Sequence, residues 1–285
     1  MSQQFKEQGG AATMDPSPLA RRLTSNLASY LNSEKKLTKR RLTAEKTRKK
    51  DGRPHVVNYF HQVEDGYSHL ASQVLEQFSQ RYDIELRCHI VRGPEGKNAP
   101  DTSLLLKLSK YDSALIAHEY GLKFPASSNP PSSEAVSQAN ALLANVPPSE
   151  LPTIMARVGD ALWRGDNVAL ATLVNEHGCA SAENTEARLN VATTLRTQLK
   201  HYSGAMFHYE GEWYWGIDRL HYLEARLAEL GADRQSDQPY ITQCPEVSVE
   251  GVHNASHLTL EFFPSLRSPY TSIVFDETIE LAEKT

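Results

Sequence analysis

"PHVVNYFHQVEDGYSHLASQVLEQFSQRYDIELRCHIVR", residues 54–92, is the stretch that decides the fold. Its opening, PHVVNYFHQ (54–62), is rich in β-branched and aromatic residues and predicts a strand. VEDG follows as a turn. In YSHLASQVLEQFSQRY, Leu70, Val74, Leu75 and Phe78 recur at helical spacing, and a single helix is expected. IELRCHIVR (84–92) alternates in part and predicts a second strand. Strand, turn, helix and strand in this order form a β-α-β unit, which implies a parallel pair.

Outward from this unit the pattern changes twice. Residues 101–200 read as helices, among them LLLKLSKYDSALIAHEYGL, SEAVSQANALLANV and ELPTIMARVGDALWRGD. The strand pattern returns in GAMFHYEGEWYWG (204–216), where two aromatic runs flank EGE as a hairpin. DRLHYLEARLAELG then predicts a closing helix that ends at Gly231. The order β-α-β, helical insertion, β-β, α is that of an α/β protein with a thioredoxin-like fold and an inserted helical domain, over about 95–200.

Four segments are expected: 1–54, a disordered start (1–16) and a basic helical arm; 55–232, the folded domain; 233–256, a Pro- and Gly-punctuated linker; and 257–285. Net charge is −5 over 285 residues, which gives no global case for nucleic acid. The arm over 17–53 is different, with twelve Lys and Arg against three carboxylates. Its Leu23, Leu27 and Leu31 lie on one helix face, so we read it as a solvated helix packed on its own acidic domain. The alternative is an arm for phosphate, nucleic acid or an acidic partner. No apolar run is long enough to span a membrane and no signal core is seen, so a cytoplasmic location is expected. Cys88, Cys179 and Cys244 form neither a C-x-x-C nor a metal-ligand pair, and no metal is expected.

VNYFHQVEDGYSHLA (57–71) lies on LEFFPSLRSPYTSIV (260–274) without a gap. Phe60 meets Phe263, Tyr67 meets Tyr270, Ser68 meets Thr271 and Asp65 meets Ser268. Residues 257–285 therefore read as the start of a second, incomplete thioredoxin-like repeat.

These residues resemble the DsbA-like thioredoxin superfamily, nearest the 2-hydroxychromene-2-carboxylate isomerases and kappa-class glutathione transferases. DGYSHLA and SPYTSIV are similar to that branch's Ser-Pro-Tyr turn, DALWRGD to its Ala-x-Trp/Phe run, and GAMFHYEGEWYWGIDRL to its ending before the last helix. The resemblance covers roughly 55–231 and implies oxidoreductase or isomerase chemistry on a small-molecule or thiol substrate, with glutathione as cofactor. It places the family's catalytic serine at Ser268 in the incomplete copy and at Asp65 in the first. It places the glutathione contacts at Ala205, Met206 and Asp218.

The departures are as informative. The redox members carry C-P-x-C at the turn, and no such dithiol stands here, so disulfide exchange is not expected. Asp65 is a good helix cap but repels a thiolate. Ala205-Met206 replaces the family's Val-cis-Pro, and a trans bond is expected because a cis bond without proline costs about 3 kcal/mol. Of the family's Ser-Asp pair only Asp218 is kept. Tyr67, His208 and Trp215 are expected to line a substrate pocket, with Trp213 sharing the face of Trp215. His61 and His69 are read as acid–base candidates or structural histidines. Two functions stay open: a glutathione-linked isomerase or transferase with a degenerate first site, and a non-catalytic binding or scaffold domain. A homo-oligomer is compatible with either.

Overall fold

The computed structural model describes residues 17–31, 33–95, 99, 101–125, 129–245, 259–264 and 269–284. Two compact units are present, Met1–Gln243 and Cys244–Thr285. The first opens with α1 (Pro18–Leu31) and α2 (Glu34–Lys50). Then come β1 (Val56–His61), α3 (Gly66–Ser72), α4 (Leu75–Arg81) and β2 (Glu85–Ile90). The insertion is α5 (Thr102–Ile116), a 3-10 turn (Ala117–Tyr120), α6 (Ser133–Asn145), α7 (Leu151–Arg164), α8 (Asn167–His177) and α9 (Ala182–Gln198). β3 (Met206–Tyr209), β4 (Glu212–Trp215) and α10 (Leu220–Glu229) close the unit.

The sheet order is β2-β1-β3-β4. β1 runs parallel to β2, and β3 is antiparallel to both β1 and β4. A parallel β-α-β unit extended by an antiparallel hairpin in this order is the thioredoxin-like fold. The hairpin turns on Glu210 and Gly211, with φ of 42° and 83°. Two consecutive positive φ values suit a two-residue turn between twisted strands, as the EGE pattern anticipates.

Alternation along the strands sorts side chains to two faces. Val57, Tyr59, Phe207 and Tyr209 join Leu75 and Phe78 of α4 and Leu223 and Leu227 of α10 in the main core. That cluster runs on into the insertion through Leu142, Ile154 and Val158. On the other face Phe60, Val91 and Met206 pack against Ala192, Leu195 and Leu199 of α9 and the end of the insertion.

Three expectations are corrected. The helix predicted after β1 is two helices, because the N–H groups of Gln73 and Val74 bond to Leu70 and Ala71, three residues back. The Gln73 side chain is held instead by the backbone of Lys123 in both directions, at 2.8 and 3.1 Å. The linker predicted over 233–256 is packed against the domain as far as Gln243. Arg81 bonds Asp233 at 2.9 Å and the backbone of Gln238 and Pro239, while buried Glu224 accepts from the N–H groups of Ile241 and Thr242. Finally, no strand forms over 259–264, since a lone strand has nothing to pair with. The helix of the second unit does form, as α11 (Pro269–Lys284), and the Phe262 ring meets Phe275 edge-on within that unit. Residues 1–16 and Ser268 lie outside the described residues.

The basic arm meets acidic residues of its own unit. Arg41 bonds Glu212 through Nε and Nη2 at 2.9 and 2.7 Å, and Arg53 bonds Glu210 at 2.8 Å. Arg41 and Arg226 hold the Glu212 carboxyl below its ordinary range against the opposing effect of burial.

Candidate functional site

A cleft of about 660 Å³ opens at the carboxyl ends of the parallel strands β1 and β2. That is where ligands bind in open α/β sheets. Its floor is the turn from β1 into α3, with Gln62, Glu64, Asp65 and Tyr67; one wall is the segment after β2, with Arg92 and Gly93. The insertion supplies the far wall through Leu105, Leu106 and Ser109 of α5 and Val136 and Asn140 of α6.

Glycine makes the floor possible. A Cβ on Gly204 would stand 2.7 Å from the Gln62 side chain, and one on Gly93 would stand 2.8 Å from its amide nitrogen. A Cβ on Gly66 would reach Ser113 Oγ at 2.7 Å. Helix α5 therefore turns its small Ser109 and Ser113 inward, leaving Leu104, Leu108 and Leu115 exposed.

Asp65 is the N-cap of α3. Its Oδ2 accepts from the N–H and the hydroxyl of Ser68, at 2.8 and 2.9 Å, and its Oδ1 accepts from the Ser109 hydroxyl at 2.7 Å. The N–H of Gly66 donates to Ser109 Oγ at 2.8 Å. Burial pushes the Asp65 carboxyl up, opposed by Ser109 and Ser68. The anion-attracting start of α3 is thus filled by the chain's own carboxyl group.

The hydroxyl of Ser68 also accepts the N–H of Ala205 at 2.8 Å, while the Ala205 carbonyl accepts from the N–H of Gly216 at 2.7 Å. Ala205 adopts a φ of 52°, and its bond to Met206 is trans. Both backbone groups of Ala205, one of the residues that the resemblance places against glutathione, are engaged within the protein. The Met206 side chain is buried in the α9-side cluster.

Tyr67 and Trp215 meet edge-on at the cleft, 6.2 Å between ring centres. The Tyr67 hydroxyl donates to Asp112 at 2.8 Å, and burial together with that carboxylate raises its pKa. Trp215 is 53% exposed, whereas Trp213 packs on Phe60 and His201 and donates to the Leu199 carbonyl at 3.1 Å. Asp218 stands beside Arg219 at 3.2 Å, its carboxyl raised by burial, and is not among the cleft-lining residues.

His208 does not reach the cleft. It pairs across the sheet with Asn58 and rests on the Trp213 ring, on the α9 side. Position along the sheet explains the difference: His208 shares a face with Met206 and Trp215, but it lies opposite Asn58, further from the carboxyl end of β1 than Met206, which lies opposite Phe60. His61 and His69 lie buried behind the turn, where burial lowers their pKa values to about 3 and about 4.

The cleft lining contains no cysteine. Cys88 is buried on β2 and its thiol is pushed up to about 12, while Cys179 and Cys244 are exposed. Among the described residues, no group of three His, Cys, Asp or Glu could hold a metal ion, and no helix is long and apolar enough to cross a membrane.

Several cleft residues escape the sequence reading: Gln62, Glu64, Arg92, Ser109 and Asn140. Burial raises the Glu64 carboxyl, whose Oε1 accepts from the Gln62 amide at 3.0 Å. The end of the second strand is a readable signal for Arg92, given where α/β clefts form. For Ser109 and Asn140 no comparable signal exists, because the leucines around Ser109 point the inward face the wrong way.

Strand order and cleft position define a thioredoxin-fold protein with a helical insertion, its site built from carboxyl, hydroxyl and aromatic groups. The chain is similar in structure to 2-hydroxychromene-2-carboxylate isomerase (21% identity, TM-score 0.47), covering 62% of this chain and 96% of that one. It is also similar to the cytosolic disulfide reductase DsbM from Pseudomonas aeruginosa, solved with GSH (19%, 0.41), covering 62% and 97%. No protein-family model and no curated protein sequence matches it.

Proposed function

We propose that the chain is a small-molecule protein of the isomerase type, a thioredoxin-like scaffold whose cleft offers carboxyl groups rather than thiols. The observation that carries this reading is the carboxyl of Asp65, at the N-cap where redox members of the resembled family place a cysteine. Glu64 stands beside it in the lining. Burial raises both carboxyls, and a carboxyl tuned upward in a cleft is the kind of group that serves as a general acid or base.

The test combines a thiol assay with a binding map. The full chain is expected not to catalyse insulin reduction by dithiothreitol. A set of small organic fragments of different charge is expected to shift the amide signals of residues 62–67, 91–93 and 215. Catalysed insulin reduction, or fragment shifts confined to other surfaces, would sink the reading.

A glutathione-linked version keeps one supporting observation: Asp218, where the resemblance anchors the γ-glutamyl end, is about half exposed. The engaged backbone of Ala205 and the carboxyl of Asp65 weigh against it. Millimolar glutathione should then shift the Asp218, Tyr67 and Trp215 signals. Binding without any turnover would favour the non-catalytic binding domain.

A further inference from the structure

The cleft has a chemical bias that narrows the ligand class, provided that the cleft is the small-molecule site proposed above. We infer that its ligand is an organic cation, a primary or secondary ammonium carried on an apolar body.

The charged groups lining the cleft are four carboxyls and, among the described residues, one guanidinium. Glu64, Asp65, Glu95 and Glu186 all line it. Arg92, the cation in the lining, is spent: its guanidinium bonds Glu186 and, at 2.7 Å, Asn190. Asp65 already accepts three hydrogen bonds. The Glu64 carboxyl accepts from the Gln62 amide and from its own backbone N–H. Asn140 Oδ1 is buried with no partner among the described residues. Buried acceptors left unpaired are costly, and a ligand that donates removes the cost. An anionic ligand would instead face the carboxyl groups of Glu64 and Glu95, with the one guanidinium of the lining already engaged by Glu186.

The remaining lining fits the other end of such a molecule. Leu105, Leu106, Val136 and Leu189 form an aliphatic wall. The rings of Tyr67 and Trp215 stand at the site, and aromatic faces attract alkylammonium groups. A volume of about 660 Å³ lies within the range of small-ligand sites.

The test uses three probes of one shape on the ¹⁵N-labelled full chain at low salt: phenethylamine, phenethyl alcohol and 3-phenylpropionate. The ammonium probe should shift Glu64, Tyr67, Gly93 and the Trp215 indole, and bind at least tenfold tighter than the alcohol. Glu64→Gln should weaken it at least fivefold. Asn140→Asp, which adds a carboxylate where the unpaired oxygen stands, should tighten it, and this variant serves if Glu64→Gln fails to fold. If the alcohol or the propionate binds the same residues as tightly as the amine, the cation inference is overturned while the small-molecule site stands. If no probe shifts the cleft, both are overturned. An unchanged affinity in both variants also overturns the cation inference.

Discussion

The N–H of Ala205 donates to the hydroxyl of Ser68 at 2.8 Å, joining positions 137 residues apart. The same hydroxyl donates to Asp65 and accepts the N–H of Gln62 at 3.2 Å. One buried oxygen thus ties together the end of β1, the start of α3 and the entry to β3.

Ser68→Ala removes that tie without changing the helix propensity much. It leaves the N–H groups of Ala205 and Gln62 without this acceptor and takes one donor from Asp65. A buried polar group left unpaired costs about 1–3 kcal/mol, so a loss of about 2–4 kcal/mol is expected in urea unfolding. A loss below about 0.5 kcal/mol would show that the three groups find other partners.

Helix α7 approaches α3 at Gly159. A Cβ there would stand 2.4 Å from His69 Nδ1, so Gly159→Ala is expected to destabilise the fold by about 1–3 kcal/mol. His69→Ala removes the obstacle. In the double variant the cost of Gly159→Ala should largely vanish, which a double-mutant cycle reads directly. An unchanged cost would place the strain elsewhere.

The fold is legible in residues 54–92 and 204–231 because strands and helices there follow their hydrophobic periods and end at Gly or turn residues. Tyr67, at the start of α3, and Trp215, at the end of β4, line the cleft. His208 does not, although it shares the face of Trp215: it lies opposite Asn58, away from the carboxyl end of β1, and that register comes from the pairing of β3 with β1, which the hairpin pattern alone does not give. Over 233–243 the chain packs where a linker is expected, because polar and Pro-containing composition says nothing about a buried glutamate that accepts from two backbone N–H groups. Ser109 shows the same limit. Its inward position follows from the glycine opposite, 43 residues away in sequence.

Burial lowers the pKa of His61 to about 3 and those of His69 and His89 to about 4. An unfolded histidine titrates near 6.5. Below that pH the unfolded chain takes up protons that the folded chain refuses, so stability falls as pH drops from about 6.5 toward 4. Glu64 and Asp65, raised in the fold, act in the opposite sense. His89→Gln isolates one histidine, because its amide can still donate to Asn58, which His89 Nε2 meets at 2.9 Å. The stability difference between wild type and variant should shift in favour of the variant on acidification, by at most about 1.4 kcal/mol per pH unit. Parallel stability curves from pH 7 to 4 would contradict the neutral buried histidine.

Glu224 is fully buried and its carboxyl accepts from the Tyr82 hydroxyl at 2.9 Å, the N–H of Ile241 at 2.8 Å, and the N–H and hydroxyl of Thr242 at 2.9 and 2.7 Å. The rest of the segment 233–243 is held separately by Arg81, on Asp233 and on the carbonyls of Gln238 and Pro239. Glu224→Ala cuts the first hold and spares the second. Proteolytic nicking should therefore appear near residues 240–243 and not before 239, with a stability loss of about 2–4 kcal/mol from the donors left unpaired. Adding Arg81→Ala to Glu224→Ala should extend the nicking to the whole of 233–243. If Glu224→Ala leaves the segment as resistant as wild type, the carboxylate is not what holds it. The hold would then have to come from the Arg81 side alone.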